Sequence, residues 1–319
     1  MSIGNIIKEI YKISPNEKVR LGRNYDGGYV ICPDLKYDCI LGCGVNDDVS
    51  FEEDLLKQTG KIPCYLFDGT INTLPTTQSK FTFINKNIGA FESPFTTNMN
   101  DLLTTYSSIF LKMDIEEGEY DWFKYLEKNE KVLNNISQIT MEFHTFRSKH
   151  ELAKKFIKFL SKHFYIIHLH GNNHCGYATD PSDESLFFNV FEITFLRKDC
   201  FKVPTLPCQD EIPSLIDMRN TFHKQEIFLF TYPFYERIVK SGKNTYKISP
   251  WNNQYSDRFE FSIVANDDYT SREFVVSRYH PWGQNLSVRI ENIDTGKYDI
   301  IHCGRSERKS TMYPLPSEL

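Results

Sequence analysis

The sequence predicts an α/β protein, with a mostly parallel sheet covered by helices, followed by an all-β appendage. From about residue 37 to residue 197, short apolar segments alternate with helical patterns, as in a parallel sheet with crossover helices. One early apolar segment ends in Gly42-Cys43-Gly44, a tight turn of the kind found where such sheets bind ligands. After Lys198 the helical periodicity stops, and short segments rich in β-branched and aromatic residues follow one another.

The α/β part is expected to contain a run of strands joined by helices. A helix is predicted near 150–162, because Leu152, Phe156 and Phe159 recur on one helical face. The expected strands lie at 37–42, 63–67, 81–85, 108–113, 137–143, 164–169 and 187–196.

Four segments are predicted along the chain. Residues 1–200 form the first domain, and prolines punctuate a linker over 201–224. Residues 225–303 form a small β domain, and 304–319 form a polar tail that is expected to be poorly ordered. The expected strands of the β domain lie at 226–231, 258–264, 272–277, 285–291 and 298–302.

Composition narrows the classes of function. The chain has 319 residues, of which 40% are hydrophobic, enough for a sizeable core. Its net charge of -5 disfavours nucleic acid and anionic membranes as partners. Scattered cysteines without a C-x-x-C pair, and no apolar signal segment, favour the cytoplasm, and no apolar stretch reaches membrane-spanning length. We expect a small-molecule or glycan substrate, and a homo-oligomer is compatible with the sequence.

The turn at Gly42 and Gly44 has the features of a nucleoside site. Glycines let backbone N–H groups approach a ligand, and Asp68, which lies 24 residues after Gly44, ends the next apolar segment, where it can accept both ribose hydroxyls. Turns that bind pyrophosphate usually have a third glycine, and Asp47 stands at that position. Because a carboxylate repels pyrophosphate but tolerates a cationic nucleoside, S-adenosylmethionine (SAM) fits better than NAD.

Several segments resemble one known family. Taken in order, they are similar to those of FkbM-type SAM-dependent methyltransferases over roughly residues 18–199. At Glu116-Glu117-Gly118 the chain has one acid more than the family's usual Glu-Gly. The segments are Arg20–Tyr29, Gly44–Glu52, Leu111–Glu119, Ile139–His144, His168–Asn173 and Phe191–Asp199.

The resemblance implies a Rossmann-like class I methyltransferase sheet of seven strands, the last one antiparallel, with O-methylation as the commonest chemistry. The two glycines of the turn would then pass under the methionine and ribose parts of SAM, and Asp68 would hold the ribose. Asp26, Gly27 and Gly28 would form part of a lid near the cofactor, for which a simple Asp-Gly-Gly turn is the alternative.

Methyl transfer to a hydroxyl needs an aligned acceptor and a group that takes its proton. Asp114 ends the fourth strand, and Glu142 and His144 end the fifth, so we expect them at neighbouring strand tips. Asp114 is predicted to position the cofactor's amine or the acceptor. His144, with an unperturbed pKa of about 6.5, is predicted to be the general base. The alternative is that Glu142 and His144 only tie loops together, while Glu119 is interpreted as a favourable charge at a helix start.

A second polar cluster, formed by His168, His170, Asn172 and Asn173, closes the sixth strand and is predicted to contact the substrate. The two histidines share one face of the strand, a spacing compatible with metal ligation together with an acid of the neighbouring tips. A divalent metal is nevertheless not favoured, because the sixth strand is expected near the sheet edge. The sequence alone therefore does not identify metal ligands.

The appendage is rich in aromatic residues, which either stack on sugars or form a core or subunit interface; the second interpretation is preferred. We predict a SAM-dependent O-methyltransferase that acts on a sugar hydroxyl of a glycan, polysaccharide or nucleotide-sugar precursor. The alternatives are a methyltransferase for a nucleic acid or protein, and a non-catalytic glycan-binding protein with a methyltransferase-like scaffold. The aromatic residues are Trp251, Trp282, Tyr232, Tyr235, Tyr255, Tyr269 and Tyr279.

Overall fold

A computed structural model describes most of the chain, which divides into two compact units. The α/β unit comprises Ile6–Tyr177 and Phe188–Ile227, and the β unit comprises Met1–Asn5, Ala178–Phe187 and Phe228–Leu319. The described residues are 1–10, 18–76, 80–200, 212–229, 234, 237–241, 244–251, 259–265, 272–278, 285–305 and 311–315.

The predicted alternation of strands and helices is found over part of residues 37–197, but the strands between residues 64 and 97 and those between residues 164 and 197 follow one another without a helix. The strands are β1 (Val19–Leu21), β2 (Tyr29–Ile31), β3 (Cys39–Cys43), β4 (Cys64–Phe67), β5 (Thr82–Ile84), β6 (Asn87–Ile88), β7 (Thr96–Thr97), β8 (Ile109–Met113), β9 (Ile136–Phe143), β10 (Phe164–Gly171), β11 (Tyr177–Thr179), β12 (Leu186–Phe188) and β13 (Phe191–Arg197). The helices are α1 (Ile3–Ile10), α2 (Ser50–Thr59), α3 (Asn100–Thr105), α4 (Gly118–Leu126) and α5 (Phe146–Leu160), with 3-10 turns at Glu130–Asn135 and Lys198–Cys200. None of the helices in the described ranges is long and apolar enough to cross a membrane.

The centre of the α/β unit is a seven-stranded sheet in the order β10-β13-β9-β8-β3-β4-β5. Neighbouring strands from β9 to β5 pair in parallel, whereas β13 pairs antiparallel with both β9 and β10. The sheet thus has the expected seven strands, with the last one in the chain antiparallel. This mixed sheet fits the Rossmann-like arrangement that the resemblance implies.

Buried strands and an amphipathic helix explain why the strand tips are held firmly. Every residue of β8 and β9 is buried, as expected for central strands covered on both faces. On α5, Phe156 and Ile157 belong to a fully buried face. The Phe156 ring stacks on Phe123 of α4 at 4.4 Å and meets Phe143 of β9 edge-on at 5.7 Å. The helices after β8 and β9 therefore pack together beneath the tips.

The predicted strand over 187–196 is interrupted, and this prediction was wrong at Asn189 and Val190; Phe187 and Phe188 belong to a strand of a separate two-stranded sheet. The chain forms β12 up to Phe188, leaves the sheet at Asn189 and enters β13 at Phe191. Asn189 makes other contacts: its carbonyl accepts the N–H of Phe146, and its side chain accepts the N–H of Arg147. The break thus satisfies backbone groups at the start of α5, a need that strand periodicity does not reveal.

The expected linker over 201–224 also differs from the structure. Residues 201–211 lie outside the described residues, but 212–224 belong to the α/β unit. Within this segment, Asn220 is buried and its side chain donates to Glu192 of β13 at 2.9 Å. Proline content suggested a spacer, whereas the polar side chains of this segment pair with the sheet.

The β unit contains two antiparallel sheets, ordered β14-β15-β18-β19 and β16-β17-β20. Its strands are β14 (Arg237–Ser241), β15 (Asn244–Pro250), β16 (Phe259–Ala265), β17 (Arg272–Arg278), β18 (Asn285–Asn292), β19 (Tyr298–Arg305) and β20 (Thr311–Pro314). Two expectations fail here. Residues 226–229 have no regular secondary structure, and the predicted tail contributes the last residues of β19 and all of β20.

Among the aromatic residues singled out in the appendage, Trp251 lies in the described part. It is buried, and its indole N–H donates to the Asp183 carbonyl at 2.8 Å within the β unit. This favours a core role for Trp251. The residues outside the described ranges are Trp282, Tyr232, Tyr235, Tyr255, Tyr269 and Tyr279.

Candidate active site

Two glycines allow the turn after β3 to lie against its neighbours. Gly44 has a φ of +74°, and a Cβ on it would lie 1.6 Å from the Asp114 carbonyl oxygen. A Cβ on Gly42 would lie 2.5 Å from Glu52 Oε1 of α2. The Asp114 N–H donates to the Cys43 carbonyl at 3.0 Å, so the ends of β3 and β8 are joined directly. Only glycine permits this approach at position 44.

Asp68 anchors the same turn from the end of β4. Its Oδ2 accepts the N–H groups of Val45 and Asn46 at 3.1 and 2.8 Å, and its Oδ1 accepts the N–H and hydroxyl of Thr70 at 2.8 and 2.5 Å. Burial raises the pKa of Asp68, but these hydrogen bonds outweigh it, and the pKa is lowered overall. The carboxylate is therefore ionised and fixed in orientation.

A cavity of about 570 Å³ opens over these turns. Of the predicted cofactor residues, Asp26, Gly27, Gly44, Asp68 and Asp114 line it, whereas Gly28 and Gly42 do not. Several lining residues were not predicted; Asn87 and Ile88 form β6, and the others lie two or three residues after the end of a strand, where a ligand of such a sheet is expected. These include Asn46, Thr70, Asn87, Ile88, Ile115 and Glu116.

Asp114, Glu142 and His144 meet at the tips of β8 and β9, as the sequence predicted. His144 Nε2 lies 3.6 Å from Asp114 Oδ1 and 3.8 Å from Glu142 Oε2. The exposed Glu116 brings its Oε2 to 3.5 Å from the same nitrogen. One imidazole nitrogen therefore faces three carboxylates, and Asp114 belongs both to this cluster and to the cavity lining.

Glu119 has a larger role than a helix-start charge. It is fully buried, and its Oε1 accepts the backbone N–H of His144 at 2.9 Å and lies 3.3 Å from the His144 Nδ1. The hydroxyl of Tyr120 donates to the His144 carbonyl at 2.7 Å. The first turn of α4 thus holds the histidine on three sides. The sequence shows only that Glu119 lies at a helix start, where an acidic side chain is usually exposed to solvent.

The acidic surroundings shift the pKa values of His144, the predicted general base, and of Glu142. Burial lowers the pKa of His144, but the carboxylates around it, Glu119 foremost, raise the pKa by a larger amount, so the pKa is raised overall. Burial raises the pKa of Glu142 well above the usual range, and the charges of Asp114 and Glu192 add to that shift. Near neutrality His144 is therefore protonated to a greater extent than a free imidazole.

The second predicted cluster does not line the cavity. His168 Nε2 lies 2.7 Å from Asp217 Oδ1, and His170 lies 3.7 Å from Glu192 and 3.6 Å from Glu226. Both histidines are buried. They pair with Asp217 and Glu226 of the segment 212–227. Among the described residues, the group with the spacing of metal ligands is Asp114, Glu142 and His144, and it does not include these two histidines.

Asn172 and Asn173 are also buried and engaged within the protein. Asn172 Nδ2 donates to Glu142 Oε1 at 2.8 Å, so it supports the first cluster. Asn173 donates to the Thr221 carbonyl at 2.8 Å and accepts the Thr221 N–H at 2.9 Å. Their contact with a substrate stays a prediction, whereas their contacts with the chain explain why both are amides.

The fold and the site agree with what a family comparison finds. The methyltransferase FkbM domain matches residues 4–178, which is 175 of 319 residues. The chain belongs to the FkbM methyltransferase family. The resemblance carried by the sequence segments is thereby confirmed. No curated protein and no solved structure matched the chain.

Replacing Gly44 with Ala should destabilise the α/β unit by about 2–5 kcal/mol, from the strain of a left-handed residue and the clash with the Asp114 carbonyl. Gly176→Ala is the matched control, because Gly176 has a φ of +68° and nothing within 4 Å of its would-be Cβ. This variant should lose stability from backbone strain alone, about 1–2 kcal/mol. Urea unfolding followed by fluorescence measures both losses, and equal losses would refute the close approach.

Replacing His170 with Gln should change how stability depends on pH. Burial lowers the pKa of His170, but Glu192 and Glu226 raise it more, to about 10. A histidine in the unfolded chain titrates at about pH 6.5. The stabilisation that protonated His170 gains from these two carboxylates is therefore complete below that pH and is lost as the pH rises to about 10. The urea midpoint should therefore fall more steeply between about pH 7 and 10 in the parent than in the variant. Parallel declines would contradict the assignment.

Proposed function

We propose that this member of the FkbM family is a SAM-dependent O-methyltransferase. The observation that carries the proposal is that Asp114 lines a nucleoside-sized cavity and also belongs to the Asp114–Glu142–His144 cluster. A methyl donor in the cavity and an acceptor at the cluster would share this residue. Such contiguity is what transfer between two bound molecules requires.

The lining of the cavity supports a cationic, phosphate-free nucleoside. Seven lining side chains are acidic and three are basic, a balance that disfavours pyrophosphate. Apolar surface from Phe51, Phe67 and Ile88 is available to a base. The acidic side chains are Asp26, Asp47, Asp48, Glu52, Asp68, Asp114 and Glu116, and the basic ones are Arg23, Lys86 and Lys112.

We assign the ribose contact to Asp68 and the support of the turn to Gly42 and Gly44. Asp68 already accepts four hydrogen bonds from the protein, one of them from the Thr70 hydroxyl. Since a hydroxyl can rotate, that bond can be exchanged for one from a ribose hydroxyl. Asp26 and Gly27 line the same cavity and suit the proposed lid.

We assign the acceptor site to the Asp114–Glu142–His144 cluster. SAM, when bound, supplies a methyl group activated by its sulfonium. The cluster has to orient the acceptor oxygen and accept the proton that this hydroxyl loses. The raised pKa of His144 makes it a poorer base near neutrality than its sequence suggested, and burial likewise raises the pKa of Glu142, so that this carboxyl holds a proton more readily than an exposed one.

For the acceptor we propose a sugar hydroxyl of a glycan, polysaccharide or nucleotide-sugar precursor. Supporting this, the carboxylates of Asp114, Glu116 and Glu142 can accept hydrogen bonds from hydroxyl groups. Their negative charge favours a neutral polyol over a phosphate at the methylated end. A nucleic-acid acceptor fits the net charge of -5 poorly.

Asp68→Ala should weaken SAM binding by about 2–4 kcal/mol, because charge-assisted hydrogen bonds to the ribose are lost. Isothermal titration calorimetry with SAM measures the change. Asp101→Ala on the exposed side of α3 is the control and should bind like the parent. Unchanged affinity of the Asp68 variant, or tight NAD binding by the parent, would overturn the cofactor assignment.

Glu142→Gln should lower kcat by about 10²–10⁴-fold while SAM affinity changes little, because Glu142 belongs to the cluster but stands outside the cavity lining. Transfer of labelled methyl groups to a panel of neutral sugars, with SAM titrations in parallel, separates the two properties. Glu130→Gln is the control, since Glu130 pairs with His163 away from the site. Full activity of the Glu142 variant would exclude the cluster as the acceptor site.

A further inference from the structure

We propose that Asp114, Glu142 and His144 bind a divalent cation of the Mn²⁺ or Mg²⁺ type. One ligand atom from each residue lies within 4.8 Å of the other two. Two ligand atoms about 2.1 Å from one ion are about 3 Å apart at right angles and about 4 Å apart when opposite. The separations of 3.6 and 3.8 Å from His144 Nε2 to the two carboxylates fall in this range.

His144 Nε2 is the atom that points to a missing ligand. Its side chain is 7% exposed, and within the described ranges its ring makes one hydrogen bond, through Nδ1. The nearest carboxylate oxygens face Nε2 at distances longer than a hydrogen bond. One nitrogen of a buried side chain thus faces three carboxylates at distances longer than a hydrogen bond, and an ion between them would give these atoms a partner.

Each proposed ligand is also held from behind through its second polar atom. Metal-binding histidines usually donate their other N–H to a carboxylate or carbonyl, and metal-binding carboxylates are usually hydrogen-bonded too. This pattern leaves one atom of each side chain directed into the cluster. The supporting pairs are Tyr29 Oη to Asp114 Oδ2 at 2.9 Å, Asn172 Nδ2 to Glu142 Oε1 at 2.8 Å, and His144 Nδ1 to Glu119 Oε1 at 3.3 Å.

The ligand set indicates the type of ion. Carboxylates and water suit Mg²⁺, Ca²⁺ and Mn²⁺, and a single imidazole moves the preference towards Mn²⁺. Glu116 can supply a further oxygen, because its exposed side chain already reaches 3.5 Å from His144 Nε2. The remaining positions are left for water or for oxygen atoms of an acceptor.

The second histidine cluster lacks this geometry. His168 Nε2 bonds directly to Asp217 Oδ1 at 2.7 Å, which leaves no space for an ion between them. Metal ligation by His168 and His170, which the sequence allowed but did not favour, is therefore set aside for a site built on His144.

The ion would stand beside the cavity, because Asp114 lines it. If the proposed function is correct, an acceptor with two adjacent hydroxyls would bind the ion through both oxygens, which selects vicinal diols. This consequence rests on the proposed function, whereas binding of the ion does not.

The test uses the full chain, stripped with EDTA and titrated with Mn²⁺ without SAM. Calorimetry and electron paramagnetic resonance should show one saturable site, and Asp114→Asn, Glu142→Gln and His144→Gln should each weaken it at least tenfold. His163→Gln, a histidine paired with Glu130 at the surface, should bind like the parent. Thermal denaturation checks that each variant is folded, and Mn²⁺ should raise the parent's Tm but not theirs.

A measurement on the parent alone avoids variants that fail to fold. Pulsed resonance of the Mn²⁺ complex should detect coupling to one histidine nitrogen. Absence of saturable binding, absence of nitrogen coupling, or loss of binding in His168→Gln instead of His144→Gln would each overturn the proposal. SAM titrations in EDTA test the proposed function separately, so the failure of one proposal leaves the other measurable.

Discussion

The approach of Gly44 to the Asp114 carbonyl is the constraint on which the site depends. It joins the ends of two adjacent central strands, β3 and β8, at the edge where the cavity opens. The buried Lys112 adds a hydrogen bond from its ammonium group to the Gly44 carbonyl. As a result, the turn at Gly44 and the carboxylate of Asp114 keep a constant separation, which the proposed transfer between two bound molecules needs.

Around that contact the protein buries many charged groups. Buried carboxylates are costly unless each one is paired, and removing one member of such a network costs more than the network contributes. Glu119, Glu142 and Glu192 nevertheless lie at strand or helix ends with little exposure. Concentrated negative charge of this kind is tolerated where a cation, a proton or a ligand compensates it. The cost in stability of burying these carboxylates therefore indicates that they have a functional role.

The sequence predicted the parts of the site that follow a local rule. Glycine turns, and acids that end apolar segments, are visible in one dimension, so Gly44, Asp68 and Asp114 were predicted and lie around the cavity. Glu119 was missed because its role depends on contacts between α4 and His144, which directly follows β9. Asp217 was missed because prolines made its segment look like a spacer. Contacts between distant segments have no signature in a single sequence.

The direction of β13 has a consequence for how such an enzyme can change its acceptor. Because β13 runs against its neighbours, β10 ends and β13 begins at the functional edge, with Gly171 opposite Phe191. Between these strands the chain leaves the α/β unit after Tyr177 and returns at Phe188, so the stretch that can change in length while both strands keep their register lies between those two residues. Residues at the proposed acceptor end of the sheet can therefore change while the turn at Gly44, on the far side of β8, is left untouched.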